Sequence, residues 1–376
     1  MWRTLPFEKC LQKVKVPFKL PKKDYREVGL FPVVSQEAAL ISGYHDDANH
    51  LFNVDEPVVI FGDHTQVLKY VDFSFVMGAD GVKILKPIND IDAKYFYYAL
   101  KTLMPKGTGY ARHYKLLKEL TISYPPLAEQ QRIVAKLDAA FAEIDRAVAT
   151  NEQLIETSKA TFKSHLRQIF QSTPTDWTDS NLKDVAEVFD GPHATPKTVD
   201  EGPLFLGISS LQDGELILDK TRHVTEEDFL KWTKRVTPKA NDFVFSYETR
   251  LGQAAIIPKN LKCCLGRRMG LIRFRTDVID SRFFMYYYIS PPYQEFLKSR
   301  VKEGATVDRL SIKEFPSFPL KYPSLAEQRS LASRLDAYKE EVEKLEMLYE
   351  KKGAQLLALK SAILAQELQP SESEAA

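Results

Sequence analysis

The sequence lacks the patterns that mark disulfide-rich, zinc-binding and membrane proteins. Its three cysteines, Cys10, Cys263 and Cys264, form no CxxC pair, and its seven histidines show no HExxH spacing. No apolar run approaches the ~18 residues of a membrane span, and the N-terminus has no apolar signal segment. We therefore expect a cytoplasmic protein with no disulfide framework, no metal site and no membrane segment.

An excess of charge of one sign is also missing. The 376 residues include 52 basic and 51 acidic ones, a formal net charge of +1. Overall charge therefore predicts no partner. A nucleic-acid-binding protein of this composition must concentrate its basic residues locally, because phosphate attraction acts over about 8 Å at physiological salt. The length and the hydrophobic content of 44% favour two or more globular domains.

One segment occurs twice in the chain. Residues 124–138 read YPPLAEQQRIVAKLD, and residues 322–336 read YPSLAEQRSLASRLD. The prolines suit the first turn of a helix, where a missing N–H costs little. Glu129 and Glu327 then fall in the first turn, where a carboxylate meets the positive end of the helix dipole. The match indicates an internal duplication in which each copy begins a long helix.

Apolar residues continue at helical spacing after each copy, and in the second copy they follow a heptad pattern. Pro174 and Pro370 should end the two helices, each of ~40 residues or ~60 Å. A long helix with one apolar stripe needs a partner. Because a domain lies between the helices, we expect an antiparallel pair with a globular domain at each end. The predicted packing residues are Ile133, Leu137, Ile144, Val148, Leu331, Leu335, Val342, Leu345 and Leu356.

The segments before and between the helices contain short apolar runs broken by Gly, Pro, Asn and Asp. This pattern predicts strands joined by turns at residues 57–62, 73–76, 204–207 and 242–245. Aromatic stretches at 95–98 and 283–288 predict helices whose rings lie mainly in the core. The predicted fold class is α+β, with two mixed α/β domains separated by an antiparallel two-helix coiled coil and a pseudo-two-fold internal repeat. The expected boundaries are 1–123, 124–172, 173–321 and 322–369, with a disordered tail at 370–376.

A Pro-Pro-Leu-x-Glu-Gln helix start that occurs twice, each time after a globular domain, resembles the specificity subunit of type I restriction–modification enzymes. The resemblance covers essentially the whole chain, although Ser324 stands where a second proline is usual. It implies two target recognition domains, each binding one half of a bipartite double-stranded DNA target, with the helices setting the gap. It also implies two methyltransferase subunits and a motor–endonuclease subunit as partners. Those partners would bind S-adenosylmethionine, ATP and magnesium, so we expect no catalytic centre or cofactor here.

DNA contacts are expected from hydrogen-bond donors on short loops beside strands. Phosphate contacts would fix the register, and contacts to base edges in the major groove would give specificity. Arginine provides a planar fork that pairs with guanine. The candidates are His64, Thr65, Lys69, Gly107, Thr108, Arg112 and His113 in the first domain, and Thr249, Arg250, Arg267, Arg268 and Thr306 in the second.

Two other functions are compatible with parts of the sequence. Ser290-Pro291-Pro292-Tyr293 resembles a catalytic motif of amino-methyltransferases, but it follows an aromatic helix, and the chain has neither a glycine loop for the methyl donor nor a P-loop. Asp46 and Asp47 beside His45 are interpreted as a polar turn rather than a metal site. The main alternative is a coiled-coil scaffold that joins protein partners without binding DNA. Salt-dependent binding to duplex DNA distinguishes it from a specificity subunit.

Replacing residues 173–321 by the corresponding domain of another such chain should change one half of the DNA target and leave the other intact. Adding a few residues to the first helix near Glu152 should change only the gap. Sequencing methylated DNA from cells that carry the altered chain and its methyltransferase measures both effects. If both halves of the target changed together, the modular interpretation would be wrong.

Overall fold

A computed structural model describes residues 2–104, 112–172, 174–302 and 308–369. The chain divides into two compact units. Unit 1 comprises Met1–Glu152 with Glu350–Ala376, and unit 2 comprises Gln153–Tyr349. Two long helices each contribute to both units, since they run without a break over 45 and 43 residues. The predicted tail at 370–376 lies outside the described residues. No helix in the described ranges has the length and apolar character needed to cross a bilayer.

Unit 1 is a mixed α/β domain followed by the first part of a long helix. Two of its predicted strands, at residues 57–62 and 73–76, are found as β5 and β7, and the aromatic stretch at 95–98 lies in α1. In chain order the elements are β1 (Arg3–Pro6), β2 (Phe31–Val34), β3 (Gly43–His45), β4 (Leu51–Phe52), β5 (Val58–Gly62), β6 (Leu68–Val71), β7 (Phe75–Met77), β8 (Val82–Leu85), α1 (Ala93–Leu103), α2 (Tyr114–Lys118), β9 (Thr121–Tyr124) and α3 (Leu127–Gln171).

The described strands of unit 1 form three small sheets. One has the order β3-β2-β7-β4, in which only β2 and β7 are parallel, and another is the antiparallel set β6-β5-β8. Strand β5 is buried at every position, and α1 lies against β5 and β6. The first strand, β1, pairs antiparallel with β9, which leads directly into α3. This pairing joins the start of the domain to the start of the long helix.

Unit 2 has the same general plan with more strands. The strands predicted at residues 204–207 and 242–245 are found in β12 and β16, and the second aromatic stretch forms α6. The elements are β10 (Thr178–Asn181), α4 (Leu182–Val185), β11 (Ala186–Asp190), β12 (Val199–Leu206), β13 (Leu211–Gln212), β14 (Glu215–Leu216), β15 (Arg222–His223), α5 (Glu226–Trp232), β16 (Phe243–Ser246), β17 (Ala254–Ile256), β18 (Cys263–Leu265), β19 (Met269–Phe274), α6 (Ser281–Ile289), α7 (Pro291–Ser299), β20 (Pro319–Tyr322) and α8 (Leu325–Glu367).

The largest described sheet of unit 2 is antiparallel, with the order β11-β19-β16-β17. Strand β12 lies between β15 and β18 in a second sheet, in which β12 and β18 are parallel. The aromatic side chains of α6 are buried, as the sequence predicted. The first strand, β10, pairs antiparallel with β20, which leads into α8. Both domains therefore close in the same way.

A buried glutamine fixes the start of each long helix. Gln130 and Gln328 are both fully buried. The Oε1 atom of Gln130 accepts from the Asp92 N–H at 2.8 Å, and its Nε2 donates to the Asp90 and Pro125 carbonyls, each at 2.8 Å. Gln328 makes the same three bonds with the Asp280 N–H and the carbonyls of Val278 and Pro323, at 2.9 to 3.0 Å. The sequence repeat is thus a repeat of contacts.

An aspartate two turns further along each helix makes a second repeated contact. The Asp138 carboxylate accepts from the Tyr98 hydroxyl at 2.5 Å and from Lys94 at 2.6 Å. In unit 2, Asp336 accepts from the Tyr286 hydroxyl at 2.6 Å and from Arg282 at 2.8 Å. The pKa of both tyrosines is raised, chiefly by burial and secondly by the hydrogen bond to the aspartate. Both hydroxyl groups therefore stay neutral donors. Each long helix is held against the aromatic helix of its own domain.

The two long helices lie antiparallel where unit 1 contains them both. Lys136 pairs with Glu367 at 2.7 Å, whereas Asp145, later in α3, pairs with Lys360, earlier in α8, at 2.6 Å. Ile133 and Leu137 share a core with Ile363, Leu364 and Leu368 of α8. In unit 2, Leu331 and Leu335 belong to the same core as Phe162, Leu166 and Phe170, and Phe162 meets Tyr338 edge-on with ring centroids 5.6 Å apart.

The predicted packing residues differ in how deeply they are buried. Ile133, Leu137, Ile144, Leu335 and Val342 are buried, and Val148, Leu331 and Leu356 are half-buried. Leu345 differs from the prediction, since it is 41% exposed. Three residues turn an α-helix by ~300°, which moves Leu345 about 60° away from the buried Val342. The heptad pattern therefore overestimates the width of the packed stripe in this part of α8.

All three cysteines lie in the cores of the units as free thiols. Burial raises the pKa of Cys10 to about 11 and the pKa values of Cys263 and Cys264 to about 12. Ser290-Pro291-Pro292-Tyr293 forms the start of α7, with both prolines in its first turn and Tyr293 buried. The motif serves as a helix start in this fold.

Replacing Gln130 with Met should lower the free energy of unfolding by about 2–4 kcal/mol, because a part-buried N–H, a part-buried carbonyl and the buried Pro125 carbonyl lose their partner. Gln131→Met provides a matched control on the adjacent, exposed residue and should change stability by less than ~0.5 kcal/mol. Urea denaturation followed by circular dichroism measures both. Equal stability of the two variants would show that the buried amide does not fix the helix.

Candidate nucleic-acid interface

In unit 2, two of the predicted DNA-contacting segments meet at one edge. The turn after the buried strand β16 runs through Glu248, Thr249 and Arg250, and Thr249 has a φ of +63°. The guanidinium of Arg250 donates to the carbonyls of Ile208 and Ser209 at 3.2 and 3.3 Å. Arg250 therefore stabilises the turn itself, and Thr249 is exposed on top of it.

The second segment is the turn between β18 and β19. Arg268 has a φ of +72°; its Nε lies 2.7 Å from a Glu248 carboxylate oxygen, and its guanidinium donates to the Thr249 hydroxyl at 3.2 Å. The Tyr247 N–H also donates to the Arg268 carbonyl at 3.2 Å. Arg267, next to it, is exposed. The fold thus joins two turns that are distant in sequence and holds one arginine in a fixed orientation.

An aspartate that the sequence analysis did not single out connects a third segment to these turns. Asp190, at the end of β11, accepts from the Tyr247 hydroxyl at 2.9 Å and lies 2.8 Å from the imidazole of His193 and 3.7 Å from Arg235. The pKa of Tyr247 is raised, chiefly by burial and secondly by the hydrogen bond to Asp190. The only signal in the sequence was an aspartate at a strand end, followed by Gly-Pro-His.

The segment before the last strand of the domain also reaches this edge. The Leu310 N–H donates to the Tyr247 carbonyl at 2.8 Å, and Arg309 forms isolated β-bridges with Glu248 and with Lys302. Thr306 lies outside the described residues. We call this edge the unit 2 rim, defined by residues 190–193, 235, 247–250, 266–268, 302 and 309–310. Basic side chains outnumber acidic ones along it.

Unit 1 has a similar arrangement at the end of β5, where Asp63 is the central residue. The Asp63 N–H donates to the Gly81 carbonyl at 2.6 Å, and the Asp63 carbonyl accepts from the His113 N–H at 2.8 Å. Its carboxylate accepts from the Tyr114 N–H at 2.8 Å. Asp63 is buried. The turn after the strand, the loop at Gly81 and the segment before α2 are thereby held together.

His64 and Thr65 lie on this turn and contact a further loop at Gln36. The Gln36 side chain accepts from the His64 N–H at 3.3 Å, and the Thr65 hydroxyl donates to the Gln36 carbonyl at 2.8 Å. His64 is half-buried, and Thr65 and Arg112 are exposed. Gly107 and Thr108 lie outside the described residues. We call this edge the unit 1 rim, defined by residues 36, 63–66, 81 and 112–113.

Two residues that the sequence predicts to contact DNA are buried in the structure. Lys69 is 5% exposed, because it lies on β6 and its ammonium group donates to the carbonyls of Ala39 and Leu40. This burial lowers the pKa of Lys69. His113 is also 5% exposed, below the surface of the unit 1 rim. Both side chains are therefore buried parts of the fold.

A basic segment near the unit 1 rim was missed. Five exposed lysines occur in eleven residues, and Lys22 pairs with Glu37, the neighbour of Gln36, at 2.5 Å. The signal was present in the sequence as a local concentration of one charge, which the balanced overall composition concealed. The segment contains Lys13, Lys15, Lys19, Lys22 and Lys23.

These features define a chain of two unlike loop-bearing domains on a repeated helical support. The family model described as the type I restriction modification DNA specificity domain matches residues 11–156 and again residues 174–350. The chain therefore belongs to this family, and the two matches coincide with the two halves of the duplication.

Curated relatives agree with this assignment. The chain is 22% identical over 335 residues to the EcoR124I/EcoR124II specificity subunit of Escherichia coli, covering 84% of this chain and 81% of that protein. It is 24% identical over 259 residues to the EcoBI specificity subunit, also from Escherichia coli, covering 61% of this chain. That match spans 54% of the EcoBI subunit, about half its length.

Solved structures share the fold. A chain from a type I R-M system, studied for its complex assembly and conformational transition, superposes with a TM-score of 0.72 at 19% identity, covering 98% of this chain and 97% of that one. The HsdS subunit from Thermoanaerobacter tengcongensis superposes with a TM-score of 0.56 at 18% identity, covering 98% of this chain and 96% of that one. These likenesses support the predicted fold class.

Replacing Lys69 with Met should lower the free energy of unfolding by about 1.5–3 kcal/mol, because two carbonyls lose a charged donor. It should leave the salt dependence of DNA binding unchanged. Lys15→Met, on the exposed basic segment, should leave the free energy of unfolding unchanged. It should reduce the slope of log K against log salt by about 0.9. Urea denaturation and fluorescence anisotropy at several salt concentrations test the pair. A lower slope for Lys69→Met would place that side chain at the DNA.

Proposed function

We propose that this chain reads a bipartite double-stranded DNA target for a type I restriction–modification complex, with each rim contacting one half. The observation that carries the proposal is the unit 2 rim, where Glu248 and Thr249 hold Arg268 in place and the neighbouring Arg267 is exposed. An arginine that neighbouring side chains hold in a fixed orientation is suited to contacts with base edges. An exposed arginine is suited to contacts with phosphates.

Arg268 is proposed as the base-reading residue of unit 2. Glu248 and Thr249 hold its guanidinium before DNA arrives, so less side-chain entropy is lost on binding. Its planar fork matches the N7 and O6 acceptors of guanine in the major groove. Arg267 is proposed as a phosphate contact, because its exposed side chain is free to follow the backbone. Arg250 acts indirectly, through the carbonyls that it holds.

In unit 1 the proposed base contacts come from Thr65 and His64, and the phosphate contacts from Arg112 and the segment Lys13–Lys23. Thr65 and His64 offer shorter and less charged groups than the arginines of unit 2. The two rims therefore present different donors, which suits an asymmetric target. Local lysine charge also answers the objection raised by the overall charge of +1, because only charges within about 8 Å act on a phosphate at physiological salt.

The two long helices are proposed to set the unread gap between the half-sites and to bind the partner subunits. Those partners are two methyltransferase subunits and a motor–endonuclease subunit. S-adenosylmethionine, ATP and magnesium are proposed to be bound by them, with this chain catalysing no step. Two observations support this division. The sequence has no P-loop, and the tyrosine of its one methyltransferase-like motif, Tyr293, is buried. No comparison favours the alternative of a scaffold that never meets DNA.

Replacing Arg268 with Lys should weaken binding to the cognate duplex by about 1–3 kcal/mol and leave binding to a scrambled duplex unchanged, since charge is kept and the fork is lost. Arg267→Ala should weaken binding to both duplexes equally and reduce the salt slope by about 0.9. The target is first identified by sequencing methylated DNA, and anisotropy titrations over a range of KCl concentrations then measure both variants.

The same titrations decide between DNA recognition and the scaffold. They are run on the wild-type chain alone and with its methyltransferase. Binding that is absent, or insensitive to salt, in both conditions would favour the scaffold. An unchanged ratio of cognate to scrambled affinity in Arg268→Lys would remove Arg268 from the base-reading role while leaving DNA binding intact.

A further inference from the structure

One short connection in unit 1 joins the two outer strands of a sheet. In the order β3-β2-β7-β4, the strands β3 and β4 form opposite edges, and residues 46–50 run between them. The connection contains a single turn of 3-10 helix, Ala48–His50, capped by the side chain of Asp47. Any bond that ties the two ends of this connection together also ties the two edges of the sheet.

Three metal-ligand side chains converge on this connection. The Nε2 of His45 lies 2.9 Å from the Nδ1 of His50, and the Nε2 of His50 lies 3.6 Å from an Asp47 carboxylate oxygen. One ligand atom from each residue lies within 4.8 Å of the other two. The sequence interpretation of a polar turn considered His45, Asp46 and Asp47. His50 completes the set, because the 3-10 turn brings it back to the end of β3.

Neighbouring groups orient two of these ligands. The Oδ1 of Asp47 accepts from the Asn49 N–H and from the Asn49 side-chain amide, each at 2.9 Å, which leaves Oδ2 directed to His50. The ring of Phe18 stacks on His50 with centroids 3.7 Å apart and planes 10° apart. Asp46 is engaged elsewhere, since it accepts from the Leu30 N–H and pairs with Arg26.

We propose that His45, Asp47 and His50 bind a zinc ion, or a transition-metal ion of similar preference, and that the ion stabilises the connection between β3 and β4. Two imidazoles and one carboxylate suit zinc better than calcium or magnesium, which prefer oxygen ligands. Tetrahedral bonds of ~2.0–2.2 Å place ligand atoms ~3.3–3.6 Å apart. His50 can bind one ion through only one ring nitrogen, whereas its Nδ1 faces His45 and its Nε2 faces Asp47. Binding therefore requires the histidine nitrogens to separate slightly and the exposed Asp47 side chain to move toward the nitrogen that holds the ion.

The binding test uses the full-length chain without a histidine tag, after treatment with a chelator and exhaustive dialysis. Cobalt is titrated as a visible probe, and zinc is then added to displace it. The wild-type chain should give a d–d absorption band that saturates at one cobalt per chain and disappears with zinc. No band, or one that fails to saturate at this ratio, would overturn the proposal.

Two variants and one control assign the binding to these residues. Asp47→Asn and His50→Asn should each weaken cobalt binding at least ~10-fold, the lower bound seen when a ligand's supporting contact is lost. His193→Asn is the matched control, because His193 also lies beside an aspartate, Asp190, in a pair with no third ligand in the described residues. Unchanged binding in Asp47→Asn and His50→Asn would overturn the assignment.

A stability measurement separates loss of the ion from loss of the fold. Without metal, Asp47→Asn should unfold at nearly the wild-type temperature. Zinc should raise the unfolding temperature of the wild-type chain and of His193→Asn, because an ion that binds only the folded state stabilises it. It should not raise that of Asp47→Asn. An equal rise in all three chains would show that zinc acts elsewhere. The measurements contain no DNA, so they are independent of the function proposed above.

Discussion

The side-chain amide of one glutamine, present once in each half of the chain, is the contact on which the rest of the architecture depends. Gln130 and Gln328 each pair with an N–H at the start of an aromatic helix and with two carbonyls, of which those of Pro125 and Pro323 are buried. An apolar side chain of the same size would leave all three groups without this partner, and the cost is greatest for the buried carbonyl. The amide therefore fixes the direction in which a helix of 45 or 43 residues leaves its domain. A small angular error there would grow along the helix.

The two units solve the same structural problem with different surfaces. In both, a strand at the centre of the domain ends in a turn, and a carbonyl at that turn accepts from the segment before the last strand, at Asp63 in unit 1 and at Tyr247 in unit 2. The buried support is repeated, whereas the exposed residues are not. Lysines and small polar groups occupy the rim region of unit 1, and arginines occupy that of unit 2. Such a division lets surface residues vary without a change in the core.

The sequence was sufficient where a local pattern determines the structure. The repeat and its apolar spacing predicted both helices, and short apolar runs broken by Gly, Pro, Asn and Asp predicted strands such as β5 and β16. It was insufficient where a polar side chain meets a backbone group distant in sequence. Lys69 and His113 were predicted on the surface and are buried. The sequence could not show this, because their partners, the carbonyls of Ala39 and Leu40 and the turn at Asp63, lie far from them in sequence. The bonds of Asp190 and Glu248 were missed for the same reason, since their partners are set by tertiary packing.

The burial of all three thiols has a practical consequence. The thiolate is the reactive form of cysteine, and at neutral pH the raised pKa values and the surrounding core keep Cys10, Cys263 and Cys264 in the unreactive state. A cysteine introduced at an exposed position such as Arg112 or Arg267 would thus be the preferred target of a maleimide dye or spin label. Fluorophores placed on the two units in this way would allow the distance between them to be measured with and without DNA, in an otherwise unaltered chain.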